Sequence, residues 1–277
     1  MRSRIAPRPA AQPRPDTVDA TPLFRWCLER GLDTRPQYLW GALVAARTAR
    51  GLHVPAFTAI EFGVAGGNGL LALERAAATA TELTGVQVDV VGFDTGTGMP
   101  PPVDHRDVPW VIREGWFEMD EQLLRSRLTC AELVLGPVAR TVREWLSTER
   151  PPIGFIAFDL DYYSATMDAF GVFEAPAERL LPRVACYFDD LFGYGWSDFA
   201  GERAAIADFN AAHARRKIGK VHGLRYELPA SERPLAWHEQ MYIGHLFDHP
   251  EYCTPERVSE GPLVDAWFDA HRLPPEG

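Results

Sequence analysis

Residues 60–69 read I-E-F-G-V-A-G-G-N-G, an acidic residue and four glycines set between a short apolar run and a leucine-rich segment. An apolar run that breaks at glycines and resumes with helical spacing is a strand turning into a helix. Glycine there admits φ > 0 and lets a ligand approach main-chain N–H groups, which is how α/β proteins hold nucleotide-like cofactors. The spacing of Gly63, Gly66, Gly67 and Gly69 departs from the G-x-G-x-x-G of dinucleotide folds. Alone, the stretch also fits a tight turn with no ligand.

Working outward, short apolar runs alternate with helical patterns from residue 57 onward, the signature of a mostly parallel sheet covered on both faces. Strands are expected near 58–63, 86–93, 132–135, 155–159, 184–188, 224–227 and 241–247, and helices near 69–83, 120–128, 138–146, 165–181 and 201–215. The fold class is therefore α/β, a Rossmann-like seven-stranded sheet. Two helices around 23–28 and 38–50 would form an N-terminal cap. Residues 1–20, rich in proline and arginine, read as a disordered tail. The remainder, 21–277, reads as one domain, with N-terminal helices (21–56), a core (57–247) and a C-terminal extension (248–277). The longest connection, 95–118, carries Trp110, Trp116 and Phe117, which would either cover a substrate or anchor the loop to the core.

Of 277 residues, 46% are apolar and 24% charged, an ordinary balance for a globular chain. With 38 acidic against 28 basic residues the net charge is −10, which argues against a nucleic-acid partner. No apolar run approaches a membrane span and the first residues lack the apolar core of a secretory signal, so a cytoplasmic location and no membrane partner are expected. Cys27, Cys130, Cys186 and Cys253 are widely spaced and form no C-x-x-C, so they read as isolated thiols. The aromatic C-terminal segment through Trp267 and Phe268 serves equally as a self-association surface or a plain cap, leaving a homo-oligomer open.

Acidic residues end three of the expected strands. Asp94 closes V-D-V-V-G-F-D, 25 residues past Gly69, near the offset of about 20 at which such folds place a ribose-binding acid. Asp159 and Asp161 follow F-I-A-F, where alternation would send both carboxylates to one side. Asp189 and Asp190 end A-C-Y-F-D-D. Carboxylates gathered at one crevice repel, and a hard oxygen-bound cation, Mg²⁺ first, resolves the conflict. The competing role for each is helix capping. His245, His249 and Cys253 share helical spacing, but Pro250 interrupts any helix, so they do not read as zinc ligands. His238 reads as structural, with assistance to a substrate as the alternative.

In combination, E-F-G-V-A-G-G-N, G-F-D-T-G-T-G-M-P, D-L-D-Y-Y-S-A-T and the F-D-D pair resemble the class I S-adenosylmethionine-dependent methyltransferases, and more narrowly the metal-dependent macrocin O-methyltransferase family. The resemblance spans about residues 57–247. It implies that Glu61, Gly63, Ala65, Gly66 and Gly67 hold the amino-acid part of S-adenosyl-L-methionine and that Asp94 holds its ribose. It implies further that Asp159, Asp189 and Asp190 bind Mg²⁺, and that Asp161 is the base for a hydroxyl of a small-molecule acceptor such as a sugar or natural-product glycoside. Ala165, where the family has a small polar residue, and the Gly98-Met99-Pro100 turn depart from its pattern. A nicotinamide-dependent oxidoreductase would share the glycine loop and ribose acid without needing four convergent aspartates. A non-catalytic nucleoside-binding protein would make those aspartates incidental.

Overall fold

The computed structural model describes residues 14–15, 17, 19–31, 35–193 and 195–256. In chain order the elements are α1 (Ala20–Glu29), α2 (Pro36–Gly51), β1 (Ala56–Phe62), α3 (Asn68–Thr84), β2 (Gln87–Asp94), α4 (Glu121–Arg127), β3 (Glu132–Leu135), α5 (Val138–Leu146), β4 (Ile153–Phe158), α6 (Tyr163–Ala169), β5 (Leu180–Phe188), α7 (Gly201–Ala212), β6 (Arg216–Lys220), α8 (Leu224–Glu227) and β7 (Met241–Leu246). The seven strands form one sheet in the order β3-β2-β1-β4-β5-β7-β6. β1 to β5 are mutually parallel, and β7 runs antiparallel to β5 and β6. The order reverses between β1 and β4, and such switch points open the ligand crevice at the carboxyl ends of the strands.

Strand alternation divides the core into two layers. Phe57, Ala59, Phe155, Ala157, Ala185 and Tyr187 face the layer built with α2 and α3, whereas Ile60, Phe62, Ile156, Phe158, Cys186 and Phe188 face the layer under α5 to α7. The second layer contains a row of rings. Phe62 stacks on Phe93 at 5.0 Å and on Phe158 at 5.6 Å, and Phe158 stacks on Phe188 at 4.6 Å. Each such pair contributes about 0.5–1.5 kcal/mol beyond its buried area. The row fixes the register of four adjacent strands at their carboxyl ends. The next residues along those strands are Gly63, Asp94, Asp159 and Asp189.

The expected N-terminal cap is more than a cap. α2 lies on the sheet face, with the Tyr38 ring 6.0 Å from Phe155 and 5.8 Å from Tyr187. A Cβ on Gly41 would come within 2.2 Å of the Phe155 ring, so helix and strand approach as closely as glycine allows. The tail expected at 1–20 falls for residues 1–13, 16 and 18 outside the described residues, as do Trp267 and Phe268.

Two expected elements differ. Residues 224–227 form a helical turn after Gly223 (φ +78), not a strand. The edge strand is instead R-K-I-G-K at Arg216–Lys220, where Ile218 alone is buried, so an edge needing one apolar contact leaves no alternating signal. The helix expected at 165–181 ends at Ala169 and passes through a 3-10 turn, Phe170–Glu174, before β5. Pro176 cannot continue a helix, and Phe170, Val172 and Phe173 are all buried, so burial on every side replaced a one-sided stripe. Loop 95–118 is irregular apart from a 3-10 turn at His105–Asp107.

Candidate active site

The crevice at the switch point is a cavity of about 620 Å³, within the range of ligand pockets. One wall is the glycine turn. Gly63 (φ +86) and Gly67 (φ +84) take the left-handed backbone that glycine favours, and Ala65 adopts it too (φ +45). A Cβ on Gly63 would meet the Asp159 carbonyl oxygen at 1.8 Å, so the turn is fitted against the end of β4. Gly69 is just as tight, since its Cβ would lie 1.8 Å from Glu61 Oε1.

Glu61 is buried at the end of β1, where Tyr38 of α2 donates its hydroxyl proton to Oε1 at 2.5 Å. Oε2 is buried and has no hydrogen-bond partner among the described residues. Burial raises the Glu61 carboxyl to about 8, against the lowering effect of the Tyr38 hydrogen bond. Asp94 faces it across the turn. Its Oδ2 accepts the N–H groups of Val64 (2.8 Å) and Ala65 (2.9 Å), and Oδ1 accepts that of Gly96 (2.7 Å). The acid at the end of β2 thus holds the glycine turn in shape from beneath.

The other wall is carboxylate. Asp159 N–H donates to Phe62 O and Asp189 N–H to Phe158 O, both at 2.9 Å, which continues the strand pairing one residue beyond β4 and β5. Asp159, Asp189 and Asp190, all half-buried, each offer an oxygen within 4.8 Å of the others. Burial, then the neighbouring Asp189 and Asp161, raises Asp159 to about 8. Asp190 is also raised well above the usual carboxylate range, by burial and then by Glu202. Three convergent carboxylate oxygens, two of them on acids that burial pushes up, are a donor set suited to a hard divalent cation.

Asp161 reaches the cavity by a route other than strand alternation. β4 has ended at Phe158, and Asp161 sits in a left-handed turn (φ +57) with its N–H on Asp190 Oδ2 at 3.0 Å. Burial raises its carboxyl to about 6, moderated by the Asp190 hydrogen bond. It lies beside the trio and outside the cation-ligand group.

The roof comes from loop 95–118. Its neck is closed by Met99 N–H on Trp116 O (2.8 Å) and Gly115 N–H on Met99 O (2.9 Å). Asp107, fully buried, accepts Val103 N–H, Ser164 N–H and the Ser164 hydroxyl at 2.7–2.8 Å and clasps the loop to α6. Val108 and Ile112 anchor it in the core, whereas Trp110, Trp116 and Phe117 are about half exposed. Phe117 lines the cavity.

No protein-family model matches the chain, and no curated protein matches it by sequence. Among solved structures, CalS11, a calicheamicin methyltransferase, superposes with a TM-score of 0.51 at 23% identity, covering 79% of this chain and 82% of that one. The chain has the class I methyltransferase fold. The apo structure of CalS11, described as a TDP-rhamnose 3'-O-methyltransferase of calicheamicin biosynthesis, aligns at 20% identity and TM-score 0.44, over 79% of this chain and 83% of that one. The O-methyltransferase NovP aligns at 15% identity and TM-score 0.47, over 64% and 72%.

Within this methyltransferase fold the cavity gathers Glu61, Gly63, Ala65, Gly66, Gly67, Asp94, Asp159, Asp161, Asp189 and Asp190. His238 is not among its lining residues; it is buried, with Nε2 3.2 Å from Arg233 O. Sequence reasoning missed four supporting residues. Glu202, buried in the first turn of α7, accepts Asp190 N–H at 3.0 Å. Tyr187 donates its hydroxyl proton to Asp189, while Tyr38 and Arg35 come from the start of α2. The only signal for Glu202 was an acid opening a helix, which ordinarily marks a solvated cap.

Proposed function

We propose that this protein is an S-adenosylmethionine-dependent O-methyltransferase, assisted by a divalent cation such as Mg²⁺, that methylates a hydroxyl of a small molecule such as a sugar or natural-product glycoside. The observation that carries this reading is the meeting, in one cavity, of the glycine turn with its unpartnered buried Glu61 Oε2 and the trio Asp159, Asp189 and Asp190. S-adenosylmethionine supplies a methyl group already activated by its sulfonium. Asp159, Asp189 and Asp190 would hold the cation, which when bound would lower the pKa of an acceptor hydroxyl.

The chain's own residues do the rest. Glu61 offers Oε2 to the donor's ammonium, and the left-handed turn at Gly63 and Gly67 gives the donor room against the backbone. Asp94 keeps that turn in place and presents its remaining lone pairs toward ribose hydroxyls. Asp161, raised to about 6, is mostly ionised at neutral pH, yet more basic than an exposed aspartate, and takes the proton from the acceptor hydroxyl. Loop 95–118 covers the cavity and limits water.

Calorimetry with S-adenosylhomocysteine and with NAD, each with and without Mg²⁺, tests the donor; tight binding of NAD alone overturns the reading. Asp189→Ala and Asp190→Ala should abolish turnover of a glycoside or sugar-nucleotide acceptor while S-adenosylhomocysteine still binds. Full activity of either variant in EDTA would remove the cation from the reaction.

A further inference from the structure

Among the described residues, Arg35 is the one basic side chain on the cavity wall; every other ionisable group there is an aspartate or Glu61. It stands immediately before Pro36, so α2 positions it together with Tyr38. Its guanidinium carbon lies 5.3 Å from the centre of the Tyr38 ring, and Nη1 donates to the Tyr38 hydroxyl oxygen at 3.3 Å. That hydroxyl in turn donates to Glu61, so a cation, a phenol and a carboxylate form one chain at the end of the cavity beside the glycine turn.

A methyl donor with an amino-acid end brings an ammonium and a carboxylate on one carbon. The acidic wall attracts the ammonium and repels the carboxylate. In many α/β proteins the N–H groups of the glycine turn cradle such an anion. Here Gly63 N–H is bonded to Phe93 O, Val64 and Ala65 N–H to Asp94, and Gly67 N–H to Val64 O, so four of those donors are engaged within the fold. The remaining N–H groups of the turn offer a carboxylate only partial charge, and among the described lining residues Arg35 alone offers it a full opposite charge.

We infer that Arg35 binds the α-carboxylate of the methyl donor, forming with Tyr38 and Glu61 a clamp for an amino-acid zwitterion at the start of α2. The inference rests on the donor reading above and adds a residue outside the glycine turn.

Calorimetry on wild type, Arg35→Gln and Arg35→Lys tests it with two ligands, S-adenosylhomocysteine and its decarboxylated analogue. Arg35→Gln should weaken S-adenosylhomocysteine by about ten- to a hundredfold, as loss of a charge-assisted pair does, and leave the analogue's affinity unchanged. Arg35→Lys should recover part of the loss. Equal weakening of both ligands, or none of either, overturns the assignment, and unaltered melting of the unliganded variants excludes misfolding as the cause. Failure of wild type to bind either ligand would instead bring down the donor reading itself.

Discussion

Replacing Gly63 with alanine perturbs the glycine turn at its tightest point. At φ +86 an L-residue pays roughly 1–2 kcal/mol for the left-handed backbone. The added Cβ would also lie 1.8 Å from the Asp159 carbonyl oxygen, where real contacts essentially never fall under 3.0 Å. Relief requires the end of β4 to move by the difference, about 1.2 Å. Asp159 N–H and Gly63 N–H both hold neighbouring strands at 2.9 Å, so that movement strains two ladders, an overpacking cost of about 1–3 kcal/mol. The sum, about 2–5 kcal/mol, corresponds to a drop in Tm of roughly 5–15 °C for a chain of this size. Gly66→Ala is the control, since its Cβ would meet nothing within 4 Å; it should stay within about 0.5 kcal/mol of wild type. Thermal denaturation followed by circular dichroism measures both. Because the strain falls on Asp159, Mg²⁺ should also stabilise Gly63→Ala less than wild type. A Gly63→Ala protein that melts with wild type and responds equally to Mg²⁺ would refute the fit of this turn against β4.

Asp159 and Asp161, raised to about 8 and about 6, hold protons in the fold that the unfolded chain has released. Cation-free protein should therefore lose stability as pH rises from about 4 to about 8, and Mg²⁺ should raise Tm more at pH 8 than at pH 6. Melting curves of wild type against Asp159→Asn isolate the effect, and an equal pH slope in the two proteins would contradict it. Asp107→Ala leaves Val103 and Ser164 without their acceptor, so protease cleavage within 95–118 should accelerate several-fold while S-adenosylhomocysteine still binds; an unchanged cleavage rate would show that the clasp does not hold the loop. Tyr38→Phe removes the donor that lowers the Glu61 carboxyl and should weaken S-adenosylhomocysteine by about five- to tenfold at neutral pH, measured by calorimetry. Undiminished affinity would separate Tyr38 from the donor site.

What the chain discloses before folding is whatever local pattern encodes. Asp94, Asp159 and Asp189 each follow the last apolar residue of a strand, so strand ends and their acids are read together. Parallel strands buried on both faces announce themselves as apolar runs, which is why β1, β4 and β5 were legible, while β2 and the edge strand β3 were legible from the apolar residues V-V-G-F and L-V-L that they keep. β6 was not, because a polar edge needs little more than Ile218 inside. Glu202, Tyr38 and Arg35 depend on where α7 and α2 dock. Tyr38 sits in an apolar stripe and Arg35 beside a proline, positions that ordinarily mean packing and a helix start. Asp161 was anticipated at the site for the wrong reason: a left-handed turn onto Asp190 brings it there.

The stacked phenylalanines under the crevice also act as a gauge. Asp94 and Asp189 follow the rings at its two ends, three strand intervals apart, which at about 4.8 Å per interval is roughly 14 Å. That interval is written in backbone pairing and ring stacking, not in the loops above. Insertions or substitutions in 95–118 can therefore alter which molecule is admitted without changing how far apart the two ends of the cavity stand, so selectivity can diverge while the span between them stays constant.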